Sequence, residues 1–552
     1  MKKGVRKKDK LSFLKKISFN DLEEKIINWL NKEKIMCFVL TFFTAFICNI
    51  YVMTNDLLFA DCFSWGNYHI SNLWEISLGR WMLHYVDVLR FGVASIHLSS
   101  VMAYFALAIS SMFIVDLFSI KSKITKIITC LLLAVSPCFS ETLLSSFCSF
   151  EFTLAFCFAV CSIYFTYKNN NKIISCISGA ILLSFSLGLY QSYLGVACGL
   201  CILIPLKDLL LKNKTNKEVC TDLVKFACMG VLAIILYEIE LNIVLRIWHT
   251  TMNTYSGANE IGIKTIFTIP KYLNETFVSF KNYFYNDLII NNSQYGRTLV
   301  NTVFFACLIM VSISLFIKQI CASFKNRKKM KETIVTILLS LILFIVLPVG
   351  LGIIELIAVE RNINQLMCSQ YILIYIFGLS LIQCNFNRYI KFISSFVIIF
   401  SLLWIFQTYF VMNNASYMAI GITTRKTEQV AERIINLVES NEDYKLGMAF
   451  NFVGNPSGDY FEYNNHAYRL ASGIASKNPL IWATSSICNV GWMNFFSYKY
   501  GYNITVVNYD TYMNIIDSKE FNEMPIYPSK ESVKVIDGIM VIKLTNNPSR
   551  EV

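Results

Sequence analysis

Apolar residues arrive along this chain in long unbroken runs, with polar residues clustered between them. The runs fall at about 35–53, 96–118, 124–140, 150–167, 172–190, 193–211, 223–247, 299–320, 333–354, 368–384 and 390–412. Most are long enough to cross a hydrocarbon core of roughly 30 Å as helices, so the pattern predicts about eleven spans. The third run is the shortest and contains Pro137, which predicts an irregular crossing.

The two ends follow other patterns. Residues 1–34 are basic and amphipathic and predict a helix on the cytoplasmic surface. No small-residue cleavage site follows the run that begins near Ile35, so it reads as an uncleaved span rather than a signal peptide. In residues 413–552, RKTEQVAERIINLVES sets Val430, Ile434, Leu437 and Val438 at helical spacing. KLGMAFNFVG, NITVVNY and VIDGIMVIKL read as short strands. The fold class that follows is mainly α: a polytopic membrane helix bundle over 35–412 and a small extracytoplasmic α/β domain over 413–552.

Charge supports the span count. With the N-terminus inside, the connections IKSKITK, YKNNNK, Lys207–Lys225, KQICASFKNRKKMKE and CNFNRYIK are all rich in lysine or arginine. The opposite connections are acidic, nearly neutral or weakly basic, as the positive-inside rule requires. This places the C-terminal domain outside a multi-pass plasma-membrane protein. Only 16% of the 552 residues are charged, against about 25% in soluble proteins. The net charge of +12 belongs to the N-terminal tail and short loops, so nucleic acid is excluded as a partner. The 18 cysteines lie mostly inside apolar runs without zinc-type spacing. A disulfide among Cys62, Cys138, Cys148 and Cys488 stays open.

Candidate chemistry gathers at the outward loops. The loop after the first span, Met53–Ser95, carries Asp56, Asp61, Glu75, Arg80, Asp87 and Arg90 among Trp65, Trp74 and Trp81. Carboxylates held at a membrane face beside tryptophans suit a substrate that is half lipid and half sugar. The second loop adds Glu141 and Glu151, where a helix start also suits an acid. Gly188–Tyr193 turns one helix into the next with Tyr190 and Gln191 at the outer face. Arg361 follows the ninth span; an arginine at membrane depth needs a partner, and its planar fork suits phosphate. Lys264, Lys271, Lys281 and Arg297 are spread along the connection 248–298, which argues against a polysaccharide polymerase or ligase built on paired arginines. Polar residues at one face and the lack of repeated halves argue against a transporter or flippase. Five histidines without an aspartate pairing argue against an acyltransferase.

The run Asn72-Leu73-Trp74-Glu75-Ile76-Ser77-Leu78-Gly79-Arg80-Trp81 resembles the first-loop signature of the GtrII-like glucosyltransferases, bacterial membrane enzymes of the GT-C architecture. Ser136-Pro137 through Glu141 to Glu151, and Ser186–Leu194 with Tyr190-Gln191, resemble the same family in the same order, covering residues 35–212. The resemblance implies a polyprenyl-phosphate sugar donor, a cell-surface glycan acceptor and inverting hexosyl transfer at the outer leaflet of the bilayer. With it, Asp61 is expected as base and Glu141 or Glu151 as the sugar-orienting acid. Asp56, Arg80, Tyr190, Gln191 and Arg361 would bind substrate, with the arginines at the phosphate. The chain departs from many relatives in having Asp61-Cys62 where they carry two acids, and Phe150-Glu151 where they place an aspartate. Which carboxylate does what, and whether a divalent metal takes part, therefore stay open.

Overall fold

The computed structural model describes residues 23–24, 27–57, 60–66, 68–253, 263–286, 296–324, 326–357, 364–383, 388–456 and 485–550. The first span is α1 (Lys32–Thr54), capped by the Asn31 side chain, which accepts from the Lys34 N–H. The first loop then folds into α2 (Ala60–Trp65), α3 (Leu73–Ser77) and α4 (Met82–Leu89). Next come α5 (Ile96–Leu117), α6 (Lys123–Ala134) and α7 (Pro137–Leu144). Pro137 opens α7, where its missing N–H costs nothing. The third crossing is accordingly two helices joined at Val135-Ser136.

The bundle continues through α8 (Ser149–Lys168), α9 (Lys172–Leu189), α10 (Leu194–Leu211) and α11 (Asn216–Ile247). The connection 248–298 contains α12 (Ile263–Tyr285), which lies against the helices that follow it: α13 (Arg297–Ser323), α14 (Arg327–Leu351) and α15 (Ile353–Ile357). A 3₁₀ segment, Gln365–Tyr371, leads into α16 (Ile372–Leu381). The last span begins α17 (Arg388–Glu439). Among the described residues, ten helical segments are long and apolar enough to cross a membrane, and the shorter stretch Gln365–Leu381 is the eleventh apolar segment.

Side-chain burial agrees with a lipid surround. Ile234, Ile235, Ile239 and Ile243 on α11, and Ile309, Met310, Ile313 and Ile317 on α13, point out of the bundle. Water would not tolerate so large an apolar surface. Inward, α8 and α16 pack Phe156, Val160, Ile163, Tyr375 and Ile376 to full burial. The protein is a multi-pass membrane protein. At the end of the bundle away from the first loop, the Lys207 ammonium donates to the Leu117 carbonyl at 2.8 Å and sits 3.4 Å from Asp208. The end that carries the first loop is called the loop face below.

Helix α17 is 52 residues long, about 78 Å at 1.5 Å per residue. It runs without a break from the last span into the amphipathic stretch, whose Val430, Ile434 and Val438 are buried. Beyond it lie β1 (Ala449–Val453), α18 (Ser485–Tyr500), β2 (Thr505–Val506), α19 (Tyr509–Ile516), α20 (Lys519–Glu523), β3 (Val533–Ile536) and β4 (Ile539–Lys543). The sheet order is β2-β1-β4-β3, with β1 parallel to β2 and β4, and β3 antiparallel to β4. The stretch expected as one strand, VIDGIMVIKL, is a hairpin. Asp537 and Gly538 both take positive φ, the geometry of a two-residue turn that matches strand twist. Cys62, Cys138, Cys148 and Cys488 are separate thiols.

Candidate active site

The first loop is a folded cap. Asn72 caps α3 and forms a capping box with Glu75: the Glu75 Oε2 accepts from the Asn72 N–H at 2.9 Å. The other oxygen lies 3.1 Å from His69 Nε2. Burial pushes the Glu75 carboxyl up, but the hydrogen bonds from His69 and Asn72 outweigh it and hold it below the usual carboxylate range. The ring of His69 lies against Trp65, tilted by 45° with centroids 4.5 Å apart. Glu75, one of the acids of this loop, is thereby a structural group.

Arg90 ties the cap to the bundle. Its Nε donates to Glu151 at 2.7 Å and its Nη2 to Asp87 at 2.8 Å. Its Nη1 donates to the Val93 carbonyl at 2.8 Å, and Nη2 also reaches the Phe147 carbonyl. Asp87 in turn accepts from the Ser71 N–H at 2.7 Å. All three charged side chains are almost fully buried. Burial lowers the Arg90 pKa, yet Glu151 and Asp87 hold it above its ordinary value. Glu151, expected to orient the sugar, therefore stands at the start of α8 as the anchor of the loop.

Arg80 is held differently. Its guanidinium lies 5.0 Å from the Tyr190 ring and 5.9 Å from Phe152, and those two rings stack at 4.1 Å. Its Nε has no hydrogen-bond partner, and no carboxylate pairs with it among the described residues. The turn before it is fixed from two sides. The Gln191 Nε2 donates to the Leu78 carbonyl at 2.8 Å, and the Tyr237 hydroxyl donates to the Gly79 carbonyl at 3.0 Å. Gly79 has φ +79°, and a Cβ there would collide with the Tyr237 hydroxyl and Gln191 Nε2. Gln191 thus positions Arg80 by holding its turn.

Glu141 belongs to α7, which is buried along its whole length. It lies close enough to Tyr190, Cys138 and Cys368 to act on each electrostatically. Tyr190 feels Arg80 as well. Cys148 has Glu151, Cys62, Arg80 and Arg90 around it. The expected residues Arg80, Tyr190, Gln191, Glu141 and Glu151 are therefore brought into one neighbourhood at the loop face. Asp56 faces elsewhere. Its Oδ1 accepts from the Tyr498 hydroxyl at 2.6 Å and its Oδ2 lies 3.5 Å from the Lys499 ammonium, both on α18. Asn494 of α18 donates to the Phe63 carbonyl at 2.6 Å, and Phe495 packs on Phe63 at 5.1 Å. The C-terminal unit thus clamps α2.

The backbone of Asp61 lies in α2; its side chain, and all of Glu360 and Arg361, lie outside the described residues. The next residue, Cys62, donates its thiol to the Leu144 carbonyl at 3.2 Å, which sets α2 against the end of α7. Among the described residues no three His, Cys, Asp or Glu side chains gather as metal ligands would.

Two groups escaped the sequence reading. Arg297, expected among scattered loop charges, is fully buried at the start of α13. Its Nη2 donates to the Tyr409 hydroxyl at 2.7 Å, while Nε and Nη1 have no hydrogen-bond partner among the described residues. Its place at the edge of an apolar run was the available signal. Gln365 is buried with both amide atoms unpartnered among the described residues, and nothing in its local sequence marks it.

No curated protein and no solved structure matches the chain. Residues 50–379, from the end of α1 through the 3₁₀ segment into α16, match the family described as Glucosyl transferase GtrII, and the chain belongs to that family of glucosyltransferases.

Proposed function

We propose that this glucosyltransferase takes its hexose from a polyprenyl-phosphate-linked donor and delivers it, with inversion, to a cell-surface glycan at the outer leaflet. The loop face is then the extracytoplasmic face, and the C-terminal α/β unit stands outside the plasma membrane. The observation that carries this reading is Arg80. A half-buried cation spread over two stacked rings, with no carboxylate paired to it among the described residues, suits an anion supplied by substrate. An enzyme acting on a neutral donor would have no use for it there.

The chemistry is a single displacement. Asp61 takes the proton of the acceptor hydroxyl as its oxygen bonds to the anomeric carbon. The bond from that carbon to the phosphate oxygen breaks, and polyprenyl phosphate leaves with the bonding pair. Arg80 and Arg361 stabilise the charge that grows on the leaving phosphate. Glu141 orients the sugar. Glu151 acts through Arg90, which keeps the first loop and its Asp61 in place, and Asp56 acts through the clamp on α18. Tyr190 and Gln191 hold Arg80 in position.

The test is to incubate purified protein with polyprenyl-phosphate glucose and a cell-surface glycan, then read the product's anomeric configuration by NMR. A β-linked donor should give an α-linked product, and an α-linked donor a β-linked one. A product of retained configuration contradicts the displacement, and hexose taken from a nucleotide sugar instead contradicts the lipid donor.

A further inference from the structure

The 3₁₀ segment Gln365–Tyr371 carries an unusual density of unpartnered buried polar atoms. Among the described residues, Gln365 has both its Oε1 and Nε2 without a hydrogen bond, Ser369 its Oγ and Gln370 its Oε1. The three side chains are 3%, 1% and 2% exposed. Buried polar groups are satisfied in the great majority of cases, and each orphan costs free energy unless something meets it. Four within six residues mark a place where hydrogen-bonding matter other than this chain is expected.

The segment is tethered to its neighbours by hydrogen bonds. Gln370 donates its Nε2 to the Leu351 carbonyl at 3.0 Å, and the Ser192 hydroxyl reaches the Met367 carbonyl at 3.5 Å. Residues three apart on a 3₁₀ helix eclipse one another, so Gln365 shares a face with Cys368. Cys368 lies within electrostatic reach of Glu141 and Glu355, and the segment packs along α7. Gln365 is thereby set on the side of the segment that meets the sugar-orienting acid.

We propose that Gln365 reads the hydroxyls of the transferred hexose, its free carbonyl and free amide meeting one donor and one acceptor on the sugar. An uncharged amide with both halves open fits neighbouring hydroxyls, which each donate and accept. It fits a phosphate less well, since half of it would face like charge. This inference rests on the function proposed above and adds to it the residue that sets donor selectivity.

The experiment compares kcat/KM of the full-length protein for polyprenyl-phosphate glucose and its monodeoxy analogues, in wild type and Gln365→Met. Methionine matches glutamine in length and offers no hydrogen bond. Wild type should reject at least one deoxy sugar by about tenfold or more, since a site built around a hydroxyl is left with orphaned groups. Gln365→Met should lose that discrimination and about tenfold of its kcat/KM for glucose. Its thermal midpoint should hold or rise, because a buried orphan has been removed. Gln365→Asn, which keeps the amide on a shorter stem, should fall between the two. Unchanged discrimination in Gln365→Met overturns the inference while leaving the function standing. A variant that unfolds or melts well below wild type also overturns it, by showing a structural amide. Failure of wild type to transfer from any polyprenyl-phosphate hexose overturns the function, and this inference with it.

Discussion

Replacing Arg90 with methionine should release the first loop without unfolding the bundle. Arg90 joins Glu151 at 2.7 Å and Asp87 at 2.8 Å and satisfies the carbonyls of Val93 and Phe147. Arg90 is 3% exposed and Glu151 0%, so solvent cannot replace the lost partner. Removing one member of a buried ion pair costs about 3–5 kcal/mol. Asp87 keeps the Ser71 N–H, which favours the lower end. Where reclosing outpaces the probe, local opening is read as an equilibrium, and about 3 kcal/mol is roughly a hundredfold. The probes are Cys62 and Cys148, 2% and 4% exposed at the junction of loop and bundle. Their maleimide labelling, resolved by peptide mass spectrometry in detergent at neutral pH, should quicken about a hundredfold or more in Arg90→Met. Adding Glu151→Leu should restore much of the protection, because an apolar pair in place of a buried ion pair is often neutral. Labelling within about threefold of wild type in Arg90→Met would refute the anchor and return Glu151 to the sugar.

Arg80→Met should lower kcat/KM by about 10²–10³, the usual loss when one preorganised donor to a developing anion is removed. Arg80→Lys should not restore it, because a point charge cannot replace a planar fork lying over Tyr190 and Phe152; steady-state kinetics at matched thermal stability decides. The Glu75 carboxyl is held below its usual range in the folded loop, so its contribution is fully present above the ordinary carboxylate pKa and lost as pH falls through the folded value. The stability gap between wild type and Glu75→Gln should therefore be flat from pH 8 to about pH 5 and close only in more acid solution, as thermal melts across that range will read. Tyr498→Phe removes the 2.6 Å bond to Asp56. It should loosen the C-terminal unit by about 1 kcal/mol, a figure discounted because the Asp56 side chain is 36% exposed; limited proteolysis after α17 measures it.

The spans were legible because lipid imposes a simple rule: each crossing must satisfy its own backbone and present apolar side chains. The same local logic exposed the break at Pro137 and the strands of the C-terminal unit, where Asp537-Gly538 turns one expected strand into two. Candidate acids and cations were legible as types in the loops between the spans. Their pairing was not. Arg90 meets Glu151 across 61 residues and Tyr498 meets Asp56 across 442, and no local pattern encodes contacts so distant. Asp87 and Arg90 stood in the first loop as an i,i+3 pair, yet nothing near them announced that Glu151 would complete the group. Arg297 escaped for a related reason: one arginine at the edge of an apolar run looks the same whether it flanks the membrane or is buried among Tyr283, Tyr375 and Tyr409. The continuous α17 was hidden because an apolar span and an amphipathic helix differ in composition while sharing one backbone.

The most direct measurement is release of polyprenyl phosphate from a lipid-linked hexose by purified wild-type protein and by Asp61→Asn, in the presence of glycan acceptor. Positioned general-base catalysis is worth about 10²–10⁴ in rate. The account predicts acceptor-dependent release by wild type and a loss of that size in a variant that labels and melts like wild type. Equal release from both proteins would contradict it.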